Sequence, residues 1–270
     1  MSSCFHEGVR LTCVLALLAC WSRVESRDLV VCADPDNLPF SHQDGSGFEN
    51  RIADLVAQDL RAELVYRWLP LRRGVVRKTL DVRLCDVLMG VPADPAGVAT
   101  TIPYYRSSYA LVTRTDWGAP VSSFDDTRIR ASRIGVPLIG AGGAAAPPAS
   151  ALARRGILDN VRGFPVYGAS PVAQRMVHAL AAGQLDIAIG WGPTVGYYAQ
   201  RAKVPLDLVL APDEPSAPES FSIAIAVRND QSELRDDLNA TLVRQRPRID
   251  AVLAEYGVPL LPLRRRAGHK

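Results

Sequence analysis

Residues 29–60 read LVVCADPDNLPFSHQDGSGFENRIADLVAQDL, and their reading decides the fold. Residues 29–33 are a continuous apolar run flanked by charge, the pattern of a strand buried on both faces. The run stops at Asp34-Pro35, and a loop with prolines, glycines and hydrogen-bonding side chains follows. A helix is predicted over 49–61, with Ile52, Leu55, Val56 and Leu60 on one face. Residues 63–69 (ELVYRWL) alternate as a second strand. Residues 74–83 have helical spacing, and 86–91 (DVLMGV) are a third apolar run. Strand–helix–strand–helix–strand order implies a parallel sheet with right-handed crossovers. Ligands of such sheets sit at the carboxyl ends of the strands, here in the loops 34–47 and 92–101.

Further along, 109–114 (YALVTR) is another strand, and 116–127 is a composition break rich in Asp, Ser, Pro and Gly. A new α/β series begins there. Strands are predicted over 133–139, 161–165, 186–190 and 206–210, and helices over 149–155 and 171–182. A second break, 211–220, contains three prolines. It leads to a strand at 221–227 (FSIAIAV) and one long amphipathic helix over 232–256. The simplest topology is an inserted lobe entered and left through two hinge strands. The expected class is therefore α/β, the two-lobe periplasmic binding protein type II fold, each lobe a mainly parallel sheet flanked by helices. The expected division is a signal peptide (1–26), lobe one (27–115 plus 221–263), lobe two (116–220) and a basic tail (264–270).

Composition removes several function classes. Among 270 residues, 48% are hydrophobic and 22% charged, ordinary globular values. The net charge of +3 comes without a basic patch interleaved with aromatics, so nucleic acid is not an expected partner. Arg10 precedes an apolar run of eleven residues, 11–21, too short to span a bilayer and suited to a signal peptide. Two processing readings stand open: cleavage after Ser26, or a lipobox at 17–20 with Cys20 lipidated. Export follows from either, and membrane attachment only from the second. No later segment has transmembrane character. Cleavage after Ser26 leaves Cys32 and Cys85 as one pair in an oxidising compartment. They either form a disulfide or are two buried free thiols on neighbouring strands. The four histidines are scattered without metal-ligand spacing, so no metal or cofactor is expected.

Candidate cleft residues come from the strand ends. Asp34, Asn37 and Phe40 lie in the first loop; the plain alternative is a proline-set turn bonding its own backbone. Tyr105 and Arg106 flank the hinge, and Tyr and Arg are enriched in binding surfaces. Trp191 follows a strand end of lobe two, where it either stacks on a ligand or closes the cleft. Tyr167 adds to that aromatic side. Asp186 opens the strand predicted over 186–190. Arg72 and Arg73 are a candidate surface for an acidic partner. No partnered base or nucleophile stands out, so catalysis is not expected. GAGGAA at 140–145 mimics a dinucleotide fingerprint, but Pro147 and Pro148 remove the helix-start donors that pyrophosphate needs.

The two-lobe series resembles type II solute-binding proteins over residues 28–260. Amino-acid binders of that fold carry an Arg after the third strand that clamps the solute carboxylate. No Arg is present in residues 92–99 here. Only by the same resemblance is Asp186 the match for an Asp that grips the solute's amino group. A narrower resemblance lies in CADPDNLPFS (32–41), GFEN (47–50), RRG (72–74), RLCDVLMGVP (83–92), PYYRSSY (103–109), RGFPVYG (162–168) and WGPTVGYY (191–198). These are similar to the MxaJ and XoxJ proteins, solute-binding-like periplasmic proteins associated with PQQ-dependent methanol dehydrogenases of methylotrophs. The resemblance implies a protein partner, the quinoprotein dehydrogenase, alone or with its cytochrome c, during activation or maturation. It leaves open whether a small molecule binds. The alternative is a substrate-binding receptor of an ABC transporter for a small organic solute.

Overall fold

The computed structural model describes residues 27–71, 74–93, 95, 97–139, 144–166, 170–214 and 218–263. The chain begins with β1 (Asp28–Ala33) and a small hairpin, β2 (Asp36–Asn37) with β3 (Ser41–His42). Helix α1 (Phe48–Leu60), β4 (Glu63–Trp68), the single turn α2 (Val75–Lys78), β5 (Val87–Pro92) and β6 (Ala99–Thr100) follow. The ten-residue β7 (Tyr105–Arg114) leads into the second series: β8 (Ile134–Ile139), β9 (Ala144–Ala145), α3 (Pro147–Arg154), β10 (Val161–Pro165), α4 (Val172–Ala181), β11 (Ile187–Trp191), α5 (Gly192–Gln200) and β12 (Leu206–Leu210). The chain returns through β13 (Ser220–Val227) to α6 (Ser232–Arg244) and α7 (Arg246–Glu255).

One sheet runs through the molecule in the order β10-β8-β11-β7-β13-β5-β1-β4. Within each half the strands are parallel: β1 with β4 and β5, and β8 with β10 and β11. The centre is antiparallel. Residues 105–108 of β7 pair with β13, while its later residues pair with β11 on one edge and β12 on the other. β7 therefore belongs to both halves, and β13 joins its first segment to β5.

Strand alternation sorts the core. In the first half Leu29, Val31, Val87, Met89 and Ile225 face α1, α6 and α7 in one apolar cluster. Cys32, Leu88 and Ala226 point to the opposite face with Leu80 and Cys85. In the second half Leu111, Ile187 and Ile189 pack on α3, while Ala110, Val112 and Ala188 pack on α4 and Val195 of α5. Cys32 and Cys85 form a disulfide with Cα atoms 5.7 Å apart, which settles the two readings of that pair.

Four local expectations change. The long C-terminal helix breaks at Gln245, because Pro247 lacks an N–H and occupies the first turn of α7. The helix expected over 74–83 shrinks to one turn after Gly74, whose φ is +77°. Helix α3 starts on the Pro pair rather than after it, since proline's fixed φ suits the first helical positions. Helix α5 was not expected at all.

Candidate functional site

The carboxyl ends of β1, β5 and β11 meet near the β7–β13 pair, and the loop after β1 is the first wall. Its carboxylate, Asp34, is engaged by backbone. Oδ2 accepts from the Leu71 N–H at 2.7 Å and Oδ1 from the Asp36 N–H at 3.1 Å. The Ser41 hydroxyl donates to the Asp34 carbonyl at 2.8 Å. Asn37 is half-buried, and its carbonyl accepts the Phe40 N–H at 2.9 Å, closing the turn between β2 and β3. The loop is built by its own polar groups, as the turn reading expects. Phe40 is partly buried. Its ring packs on Phe48 at 5.3 Å and against the first-half core.

The hinge residues are likewise drawn inward. Tyr105 is 2% exposed and contacts Tyr104 and Phe48 edge-on, so the expectation that it faces a partner is corrected. The reason is its phase: Tyr105 lies opposite Ile223 and faces the same core. Arg106 points the other way. Its guanidinium donates to the Ser220 hydroxyl at 2.6 Å and lies 3.4 Å from Asp213, tying β7 to the entry of β13. Asp186 is also corrected. It precedes β11 and sits at the end of the sheet away from the cleft. There it accepts from the Arg133 backbone N–H at 2.8 Å and pairs with the Arg133 guanidinium at 2.6 Å.

Trp191 occupies the expected place at the carboxyl end of β11. Its ring stands between Tyr109 at 5.7 Å and Phe221 at 5.8 Å and touches the cores of both halves. Gly192 allows this approach, because a Cβ there would lie 2.6 Å from the Ser108 carbonyl oxygen. Trp191 thus fills the junction between the halves. Tyr167, Arg72 and Arg73 lie outside the described residues.

Two buried carboxyls escaped the sequence reading. Glu49, in the first turn of α1, accepts the Tyr104 hydroxyl at 2.8 Å, and that hydroxyl accepts the Gly90 N–H at 3.1 Å. Burial pushes the Glu49 carboxyl up to about 7, against the Tyr104 hydrogen bond. Glu219 precedes β13, is fully buried, and neither side-chain oxygen has a hydrogen-bond partner. Burial first, then the neighbouring Glu214 and Asp213, push it up to about 7, and Arg154 opposes the shift. A signal existed for both. Glu49 falls on the apolar stripe with Ile52, Ala53 and Val56, and Glu219 alternates in phase with Phe221, Ile223 and Ile225. Among the described residues no group of three or more His, Cys, Asp or Glu is placed to hold a metal ion. No helix among them is long and apolar enough to cross a membrane.

The chain matches the family described as bacterial extracellular solute-binding protein over residues 90–258. It is 33% identical over 259 residues to Protein MoxJ of Methylorubrum extorquens, covering 90% of this chain and 84% of that protein. The crystal structure of MxaJ from Methlophaga aminisulfidivorans MPT is similar at a TM-score of 0.77 and 28% identity, over 86% of this chain and all of that one. That of periplasmic binding protein XoxJ from Methylobacterium extorquens AM1 is similar at a TM-score of 0.72 and 36% identity, over 87% of this chain and 99% of that one. The mixed α/β sheet with flanking helices is the periplasmic binding protein type II fold of these structures.

Proposed function

Because the chain belongs to the bacterial extracellular solute-binding proteins, and within them to the MoxJ, MxaJ and XoxJ group, we propose that it is a periplasmic accessory protein of a PQQ-dependent methanol dehydrogenase system. In this reading it binds the dehydrogenase and assists its activation or maturation, and performs no catalysis of its own. The two halves of the sheet act as the lobes, 27–115 with 221–263 and 116–220, moving about the β7–β13 pair.

The observation that carries the choice of a protein partner over a small solute is the state of the cleft walls. Asp34 is taken up by backbone N–H groups, Arg106 by Ser220 and Asp213, and the junction is filled by Trp191. A receptor keeps such groups convergent and unpaired around an empty site. The resemblance in 32–41, 83–92, 103–109 and 191–198 supplies the dehydrogenase as the partner.

The test is association of the mature protein with purified PQQ-dependent methanol dehydrogenase, in apo and metal-loaded forms. Binding at micromolar concentration or tighter is expected for at least one form. No association with either form, together with a solute that raises the melting temperature by mass action, would replace this reading with the transporter-receptor one.

A further inference from the structure

Beside the loop after β1, α4 and α5 of the second half run side by side and line a groove of about 940 Å³. Leu38 of the first loop closes one end, and Val177, Tyr197 and Tyr198 give it an apolar floor. Four basic side chains line it: Arg175, His178, Arg201 and Lys203. The three permanent cations have no carboxylate within ion-pair distance among the described residues. Arg175 donates to the Ser170 and Pro165 carbonyls. Arg201 stacks on Tyr197 at 3.7 Å and donates to the Tyr197 carbonyl and the Gln200 amide oxygen. Arg162, stacked on Phe164, extends the positive surface past Arg175 and His178. Asp36 is the one acidic residue among the described residues on the rim.

Several other arginines of the same half differ. Arg114, Arg128, Arg133 and Arg155 are each held by a carboxylate. Arg175, Arg201 and Lys203 share one groove without such a partner among the described residues. They sit beside Tyr and apolar surface, the residue types that anchor protein interfaces.

We propose that the α4–α5 groove docks an acidic, apolar-bearing segment of a partner protein. Carboxylates of the segment pair with Arg175, Arg201 and Lys203, while its apolar side chains seat against Val177, Tyr197 and Tyr198. A concave floor suits a polypeptide segment, whereas a lipid surface meets a protein on a convex or flat face. That the partner is the dehydrogenase rests on the function proposed above; the chemistry of the groove does not.

The experiment compares the full mature protein with Arg175→Glu/Arg201→Glu/Lys203→Glu, and with a control, Arg77→Glu/Lys78→Glu, on the other half. Lys203→Glu alone, at an exposed position, serves as a second variant should the triple change perturb folding. The probes are purified PQQ-dependent methanol dehydrogenase, a synthetic Glu-rich peptide carrying Leu and Phe, and phosphatidylglycerol vesicles. Hydrogen exchange of α4 and α5 is followed in each case. Expected is dehydrogenase binding that weakens about tenfold or more in the triple variant, weakens partly in Lys203→Glu and is unchanged in the control, with a steep salt dependence. Dehydrogenase binding that ignores the substitutions and protects another face overturns the groove and leaves the function standing. Charge-sensitive peptide binding without dehydrogenase binding keeps the groove and removes the dehydrogenase. Binding to vesicles only, or to none of the probes, overturns the proposal.

Discussion

Replacing Glu219 by Gln tests whether the buried carboxyl at the entry of β13 is neutral in the folded protein. Both Glu219 oxygens are buried without a partner, and its carboxyl is raised from 4.5 to about 7, chiefly by burial and then by Glu214. At roughly 1.4 kcal/mol for each pH unit, the gap between 4.5 and about 7 sets a ceiling of about 3 kcal/mol. Exposed Asp213 and Pro218 flank the site, so solvent screening lowers the working figure to about 2 kcal/mol. The folded-state value lies above the unfolded one. The folded chain therefore keeps a proton that the unfolded chain has released, and stability through this group falls as pH rises from 4.5 to about 7. Below that window the acid and the amide are equivalent neutral groups; above it the wild type carries an ionised, unpaired carboxylate.

Glu219→Gln should thus match the wild type near pH 4.5 and exceed it at pH 8. The gain is about 2 kcal/mol in urea unfolding, or about 4–8 °C in melting temperature for a domain of this size. The assay is paired urea titrations at pH 4.5, 6 and 8. A difference between the two proteins that stays constant across those three values would refute the reasoning, whatever its sign.

Reducing the Cys32–Cys85 disulfide, or replacing both cysteines with Ser, releases a loop closed over 53 residues and should cost about 4 kcal/mol by the chain-entropy relation, read as a lower urea midpoint. Tyr104→Phe removes the hydroxyl that Glu49 accepts. It should raise the Glu49 carboxyl further above 7 in a carbon-detected titration and cost about 1–3 kcal/mol at pH 8, where Glu49 is ionised, and less at pH 5. Trp191→Ala opens the junction between Tyr109 and Phe221 and should lower stability by about 2 kcal/mol, with a larger radius of gyration by small-angle scattering; an unchanged radius would show that the ring does not hold the halves together.

Much of the fold was legible because its strands are period-two or wholly apolar and its larger helices carry an apolar stripe. Residues 29–60 displayed a strand, a turn and a helix in order, and the breaks at 116–127 and 211–220 fall between β7 and β8 and between β12 and β13. The misses are local. Gly192, Pro193 and Gly196 are poor helix formers, yet Pro193 sits in the first turn of α5 and Gly196 permits the approach of the Gly257 carbonyl, 2.4 Å from where a Cβ would sit. The site was less legible. Trp191 lies at the carboxyl end of β11, a position that the strand's direction fixes. Asp186 was misplaced for the same reason, one strand length earlier. Tyr105 and Phe40 went inward because amphipathic aromatics fit either side, and only the phase of β7 and the partner ring Phe48 decide.

The ten-residue β7 is a single uninterrupted strand that serves both halves, hydrogen-bonded to β13 over residues 105–108 and to β11 and β12 beyond. At about 3.4 Å per residue it extends roughly 34 Å. If the halves move as proposed, it would work as a torsion bar. Relative motion of the halves must twist a ladder already bonded along its length, and such a ladder stores the twist elastically and gives it back. A partner seated on α4 and α5, as proposed, would act on the middle of that bar, where Trp191 pairs with Tyr109 and leads directly into α5.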